Sequence, residues 1–334
     1  MTSLDLTTDL TRFTPVEELL DLHDRVLDRA VSVVIPAYNE AAHVAEQIRD
    51  VHRVMERSGW SFEIIVVDDG STDGTAEAAA TAAAETGARI LRRKRNRGYG
   101  ATLKQGIALA RHDWILITDA DGTYPVDAIP ELLAAADGNA MVVGARTGDN
   151  VKIPLERRPA KAFLRWLASY LAGRELPDIN SGLRLMRKDL VRRYEHLLPS
   201  GFSFTTTITL AATTNDYAVE YVPIDYHARL GESKIRPRHA YDFTLLILRV
   251  IVFFNPLKVF IPFGGFLFAV GILKFIYDLF LDNLSETAVL GLLGALIVWA
   301  VGLLADQNAR IANNLGHLAR RDDRALRDDL HERA

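Results

Sequence analysis

Val31-Ser32-Val33-Val34-Ile35-Pro36 and Glu63-Ile64-Ile65-Val66-Val67-Asp68-Asp69-Gly70 decide the fold of this chain. Each is a continuous apolar run closed by a breaker or an acidic cluster, the pattern of a strand covered on both faces. Residues 41–57, between them, carry helical periodicity. The alternation then repeats: an Ala-rich helix over 75–85, a short strand over 88–91, a helix over 101–111 and a fourth strand over 114–118. Residues 141–144 read as another strand, 160–171 as a helix and 219–226 as extended chain. Strands and helices in this order imply an α/β fold, a mostly parallel sheet with helices on both faces. In such sheets, ligands bind beyond the carboxyl ends of the strands.

Composition narrows the classes further. A net charge of -4 lacks the basic surplus of a general nucleic-acid binder, so no nucleic-acid partner is expected. There is no cysteine, which excludes disulfides, thiolate metal sites and cysteine nucleophiles. The nine histidines show no metal-ligand spacing. Residues 1–10 have no apolar core and do not read as a signal peptide. Residues 14–30 read as an amphipathic helix with Leu19, Leu20, Val26 and Leu27 on one face. They make 1–30 an N-terminal extension ahead of a globular domain over 31–240.

The C-terminal part is far more apolar. Residues 241–256, with Phe243, Leu245, Leu246, Leu248 and 250–254, suit a helix lying at a membrane surface. Pro256 breaks it. Residues 257–281 form one membrane-spanning candidate, with Lys274 its awkward member. Residues 288–305 form another, without any charge. Two transmembrane helices over 257–305 and a tail over 306–334 follow. The link over 282–287 has no Lys or Arg, whereas Arg229, Lys234, Arg236, Arg238 and Arg249 precede the hairpin and Arg310, Arg320, Arg321, Arg324 and Arg327 follow it. The positive-inside rule puts both termini and the globular domain in the cytoplasm. The alternative is a helical hairpin buried inside a soluble protein.

Polar clusters follow the strands in turn: Pro36-Ala37-Tyr38-Asn39-Glu40, then 68–75, then Asn96-Arg97-Gly98-Tyr99-Gly100, then Asp119-Ala120-Asp121. Two carboxylates at i, i+2 on a strand end can reach one divalent cation, Mg²⁺ or Mn²⁺, shared with substrate phosphates. Alone, that pair is equally a solvated turn, Asp68-Asp69-Gly70 equally a turn, and Gly98 and Gly100 equally a helix start. The run from Phe202 to Thr209 reads as packing or as a lining for substrate.

As a set, these four motifs resemble the family 2 glycosyltransferases with the GT-A, Rossmann-like fold. The resemblance covers 31–240. Ser181-Gly182-Leu183-Arg184, Arg229 with Gly231-Glu232-Ser233-Lys234, and the hairpin are similar to the dolichol-phosphate mannose synthase and polyprenyl-phosphate glycosyltransferase branch. The Q-x-x-R-W motif of processive synthases is missing. The resemblance implies an inverting transferase that moves one hexose-type sugar from a UDP- or GDP-sugar to undecaprenyl or dolichyl phosphate. A transferase that extends a lipid-linked glycan is the runner-up, and a non-catalytic scaffold is a third reading.

By the same resemblance, Pro36, Tyr38, Glu40, Val67 and Asp69 hold base and ribose, with Asp68 assisting. Asp119 lies against the nucleotide and Asp121 is the chief metal ligand. Arg229 and Lys234, within the motif that includes Ser233, clamp phosphates, and Arg146 joins the same pocket. Arg184, in the motif opened by Ser181, faces the acceptor phosphate, so Asp119, Asp121 and Arg184 form the expected catalytic set. The expected location is a bacterial inner membrane, with membrane lipid as neighbour and a homo-oligomer left open. One departure stands out: where mannose synthases often have a metal-binding Gln, this chain has Thr123, which puts mannose specificity in doubt.

Overall fold

The computed structural model describes residues 29–147, 166–170, 172–201, 203–226, 245, 248, 252–253, 255–281 and 285–332, with side chains as far as 311. Most of the expected N-terminal helix, Phe202, most of 241–256, and Arg229, Ser233 and Lys234 lie outside the described residues.

The alternation expected from the sequence is present. Strand β1 is Ala30–Ala37, followed by helix α1, Val44–Glu56. Then come β2 (Ser61–Asp68), α2 (Thr75–Thr86) and β3 (Arg89–Arg92). Next are α3 (Tyr99–Leu109), β4 (Trp114–Ile117) and α4 (Ile129–Ala134). After β5 (Met141–Ala145) come β6 (Arg184–Arg187), α5 (Lys188–Tyr194), α6 (Phe204–Thr214) and β7 (Val219–Pro223). The seven strands form one sheet in the order β3-β2-β1-β4-β6-β5-β7. Neighbours pair in parallel except β6, which lies antiparallel to both β4 and β5. That insertion is the one feature of the sheet that the apolar pattern did not announce.

Side chains alternate across the sheet as the strand period requires. Val31, Val33 and Ile35 join Ile48, Met55 and Leu132 in the core on one face. Val34, Ile65 and Val67 join Leu103, Ile107 and Phe204 on the other. Helix α3 sits close because residue 106 is glycine: a Cβ there would lie 2.4 Å from Val34 Cγ1.

Two long helices end the chain, α7 (Leu257–Phe280) and α8 (Glu286–Glu332). Both contain a stretch long and apolar enough to cross a bilayer, Leu257–Phe280 and Glu286–Ile311. Their outer faces are apolar and uncovered, with Phe266, Phe280, Leu290 and Ile297 each more than half exposed. A hairpin enclosed by a soluble domain would have these side chains buried. An apolar sleeve of this size is instead what hydrocarbon accommodates. The helices meet through small residues, as membrane helices do. A Cβ on Gly271 would fall 2.9 Å from the Leu292 nitrogen, and one on Gly264 would fall 2.4 Å from Trp299 Nε1. Lys274 proves less awkward than its position suggests. Its Nζ pairs with Asp278, which also accepts the Ser285 N–H at 3.0 Å and thereby fastens the turn. Helix α8 does not stop at the expected boundary of 305; the segment expected as a tail continues the same helix to Glu332.

Gly271→Val is expected to lower the thermal unfolding midpoint of the purified chain, because overpacking of this kind costs about 1–3 kcal/mol. Gly265→Val, where a Cβ would meet nothing within 4 Å, is the matched control and is expected to leave it unchanged.

Candidate active site

The polar loops gather at the carboxyl edge of the sheet because β1, β2, β3 and β4 run parallel there. The loop after β1 is stitched to the loop after β2. Asn39, at φ 54°, donates its N–H to Ser71 Oγ (2.9 Å), and its Oδ1 accepts from Thr72 N (3.0 Å). Glu40 N donates to Thr75 Oγ1, also at 2.9 Å. These bonds leave Tyr38 exposed at the mouth of the site. Pro36 and Val67 are buried, and the Val67 side chain belongs to the core, so Val67 offers any ligand only its backbone.

The two adjacent acids after β2 behave differently. Asp69 is almost completely buried and turned into the protein. Its Oδ1 accepts from Arg93 Nη1 (3.0 Å) and Arg97 N (3.0 Å), and its Oδ2 accepts from Gly98 N (2.8 Å). Asp69 is expected among the residues that hold base and ribose; in the structure its carboxylate anchors the loop ahead of α3. Asp68 is equally buried, and its Oδ1 accepts from Ser71 N at 3.0 Å. Its Oδ2 has no hydrogen-bond partner among the described residues, with Arg92 Nε 3.7 Å away. Of the pair, Asp68 is the one with a buried oxygen that lacks a hydrogen bond among the described residues.

The loop that Asp69 holds delivers Tyr99 to the next strand tip. Tyr99 Oη donates to Asp119 Oδ1 at 2.9 Å. Burial, and then the neighbouring carboxylate, push the Tyr99 phenol well above its ordinary range, so it remains a donor. Asp121 is held by its own turn: Thr123 donates through its N–H (3.1 Å) and its hydroxyl (2.7 Å) to Asp121 Oδ1. Thr123 thus orients the acid and is itself buried. Both acids are partly exposed.

On the far side, Ser181 and Gly182 come up against the same tip. A Cβ on Gly182 would lie 2.8 Å from Asp119 Oδ2, so this position has no room for one. Gly182 N donates to Tyr124 Oη at 2.6 Å. Arg184 does not face an open site. It is completely buried and donates to the Ser181 carbonyl (Nη2, 2.6 Å), the Thr205 carbonyl (Nη1, 3.1 Å) and Thr209 Oγ1 (Nη1, 2.9 Å). Where an acceptor-facing role is expected of Arg184, its guanidinium here ties the Ser181 segment to α6. Burial pulls its pKa down, yet guanidinium stays charged in proteins. The run from residue 203 to 209, open between packing and lining in the sequence, packs: Thr205, Thr206, Thr207 and Thr209 are all buried.

Arg146 forms a two-pronged pair with Asp178, Nε–Oδ2 at 2.7 Å and Nη2–Oδ1 at 2.9 Å, and its guanidinium lies over the Tyr226 ring. Burial works against the Arg146 charge, but Tyr124 and Asp178 outweigh it and raise its pKa. Burial alone would likewise raise the Asp178 carboxyl; Arg146 reverses this and holds it at about 2. Tyr124 and Asp178 are site residues that the sequence reading left out, and Tyr99 and Thr123 entered it without the roles seen here. No motif in the sequence signalled Tyr124 or Asp178.

A mostly parallel sheet with acids at successive strand tips, joined to an apolar helical hairpin, defines a GT-A-type α/β domain on a membrane anchor. Residues 32–195 match the family described as Glycosyl transferase family 2, and residues 255–311 match the GtrB C-terminal hairpin. The undecaprenyl-phosphate 4-deoxy-4-formamido-L-arabinose transferase of Enterobacter sp. (strain 638) is 31% identical over 249 residues, 72% of this chain and 73% of that one. The protein of the same description from Salmonella paratyphi B is 34% identical over 165 residues, 49% of this chain and 50% of its own. Glucosyl-3-phosphoglycerate synthase from Mycobacterium tuberculosis, solved with Mn²⁺, uridine diphosphate and phosphoglyceric acid, shares the fold. It has a TM-score of 0.54 at 21% identity, over 72% of this chain and 85% of that one. The chain belongs to glycosyl transferase family 2, and its hairpin makes it a membrane protein.

The Asp178 carboxyl lies below its ordinary 3.8, so its contribution is present above that value and is lost as pH falls through about 2. Asp178→Asn is expected to destabilise the chain by about 3 kcal/mol at pH 7, the order of cost for stranding a buried charge. The gap to the parent in a thermal melt is expected to narrow as the buffer is taken below pH 3.8.

Proposed function

We propose that this chain is a polyprenyl-phosphate glycosyltransferase that moves one hexose-type sugar from a UDP- or GDP-sugar to a polyprenyl phosphate at the cytoplasmic membrane surface. The observation that carries this reading is the carboxylate pair at the tip of β4, Asp119 and Asp121, on a domain that continues into an apolar helical hairpin. The relatives named as undecaprenyl-phosphate transferases support the lipid acceptor, and the fold neighbour with uridine diphosphate and Mn²⁺ is compatible with such a donor.

The residues at the β4 tip fit a divalent cation. Asp119 and Asp121 are hard oxygen donors, two positions apart, and Asp121 is oriented by Thr123. No group of three or more His, Cys, Asp or Glu that could hold a metal occurs among the described residues. Phosphate oxygens and water would therefore complete the shell, the usual arrangement for Mg²⁺ and for Mn²⁺ beside phosphates. When bound, the ion would neutralise charge on the departing nucleoside diphosphate.

Tyr38, Glu40 and Asp68 take the nucleoside side of the donor, with the backbone of Pro36 and Val67 beneath. Arg229, Ser233 and Lys234 are assigned to phosphate on chemistry alone, because a guanidinium fork or an ammonium matches phosphate oxygens. An oxygen of the lipid phosphate attacks the anomeric carbon in line, forming the new C–O bond. The bond to the nucleoside diphosphate breaks with its electron pair, and configuration inverts. The attacking phosphate is already anionic near neutral pH, so no strong general base is required. Positioning and charge stabilisation carry the rate. Arg184 and Arg146 support this as positioning residues, through the Ser181 segment and Asp178.

The orientation follows from charge: the 282–287 link has no Lys or Arg, while both flanks of the hairpin are rich in them. The catalytic domain and both described ends of the hairpin then lie on the cytoplasmic side.

A panel of UDP- and GDP-sugars offered with undecaprenyl phosphate, with and without Mn²⁺ or Mg²⁺, tests the reading. The expected product is a single lipid-linked monosaccharide; a longer glycan, or transfer only to a pre-formed lipid-linked sugar, would replace this acceptor assignment. Asp121→Ala is expected to lower turnover by at least about 10³-fold, the scale of losing an electrostatic stabiliser, with its thermal midpoint unchanged.

A further inference from the structure

The Asp119 carboxylate is held from two sides by residues that no role yet covers. On one side, the Tyr99 hydroxyl donates to Oδ1 at 2.9 Å. On the other, the bare Cα of Gly182 backs the whole group, since a Cβ would lie 2.8 Å from Oδ2 and 3.0 Å from Oδ1. Neither residue is free to drift. Tyr99 opens α3 straight after the loop gripped by Asp69, and the carbonyl of Ser200 accepts the Ala101 N–H at 3.0 Å in its first turn. Glycine is the only residue that fits beneath that turn at position 100, where a Cβ would lie 2.2 Å from the Pro199 carbonyl oxygen. Gly182 is pinned by Tyr124 through its N–H, and its segment is tied to α6 by Arg184. Asp119 lies two residues past Ile117, the last of β4.

We propose that Tyr99 and Gly182 are a positioning pair that sets the rotamer of Asp119, so that the carboxylate meets a divalent cation already aligned. Tyr99 touches neither metal nor substrate in this scheme; it acts through Asp119. A carboxylate without the hydroxyl samples other rotamers, and binding must then restore the order that the hydroxyl supplies in advance. A bond to a charged acceptor is also stronger than one between neutral groups, so its loss falls on the orientation of the acid. The inference rests on the metal assignment made above, and the experiment separates the two.

The experiment is a Mn²⁺ titration followed by electron paramagnetic resonance, on the full chain in nanodiscs with saturating UDP. Tyr99→Phe keeps the ring and removes the hydroxyl. It is expected to weaken Mn²⁺ binding roughly tenfold, the scale for one hydrogen bond to a charged group, with the thermal midpoint retained. Gly182→Ala presses on the same carboxylate from the opposite side and is expected to weaken Mn²⁺ as well; it decides the matter if the Phe variant melts early. Parent-like Mn²⁺ affinity in folded Tyr99→Phe, or in Gly182→Ala when that variant is the one scored, overturns the proposal. Asp121→Asn with parent-like Mn²⁺ affinity would instead overturn the metal assignment.

Discussion

The buried Asp69 carboxylate accepts from the Arg93 side chain and from the backbone N–H groups of Arg97 and Gly98. Everything beyond the β2 and β3 tips depends on this buried acid. It fixes where the loop ends, which fixes where α3 begins, which places Tyr99 against Asp119. An acid in that setting is stabilised by three charge-assisted donors, and removing it would leave two backbone donors without their acceptor. Gly70 belongs to the same constraint: at φ +75° it lets the backbone of Arg95 approach to 2.9 Å of where a Cβ would be.

The buried charges around the Ser181 segment follow a similar logic. Arg184 and the Arg146–Asp178 pair are costly to bury, and each is matched by several directional partners. Such groups lock one arrangement of backbone, because any alternative leaves a charge unsatisfied. They surround Ser181 and Gly182, the segment that must approach Asp119 to within contact. Fork-like guanidinium chemistry, which in sequence suggests phosphate, is used here on carbonyl and carboxylate oxygens.

The parallel strands were legible because each is an apolar run too short for a helix and closed by a polar cluster. β6 was not, because Arg184–Arg187 holds only two apolar residues between arginines and is a strand solely by virtue of its neighbours β4 and β5. The loop motifs told which strand tips gather polar groups, but not which member of a pair points where. Asp68 and Asp69 are adjacent and identical in type, and only the docking of the 93–98 loop decides that Asp69 turns inward. The burial of Arg184 was illegible for a related reason: it is imposed by α6, whose threonine-rich sequence reads as either wall or lining. The continuation of α8 past residue 305 was hidden because polar residues such as Asp306 and Arg310 mark the exit from a membrane without ending a helix; the two pair at i, i+4 and support it.

The hairpin and the strand tips are connected through packed elements. Val259, in the first turn of α7, packs on Ala168, Leu176 and Leu210, and a Cβ on Gly173 would lie 2.9 Å from Lys258 Nζ. Leu210 lies on α6, one residue past the Thr209 hydroxyl that Arg184 engages. Arg184 holds Ser181, and Gly182 abuts Asp119. A close-packed chain of this kind transmits position because interiors are dense and resist deformation. The height of the β4 tip above the start of the apolar sleeve is therefore set by the fold itself. A lipid phosphate is confined to the membrane surface by its tail, so an enzyme that uses one must hold its acids at a fixed level relative to that surface, and this packing gives it the means.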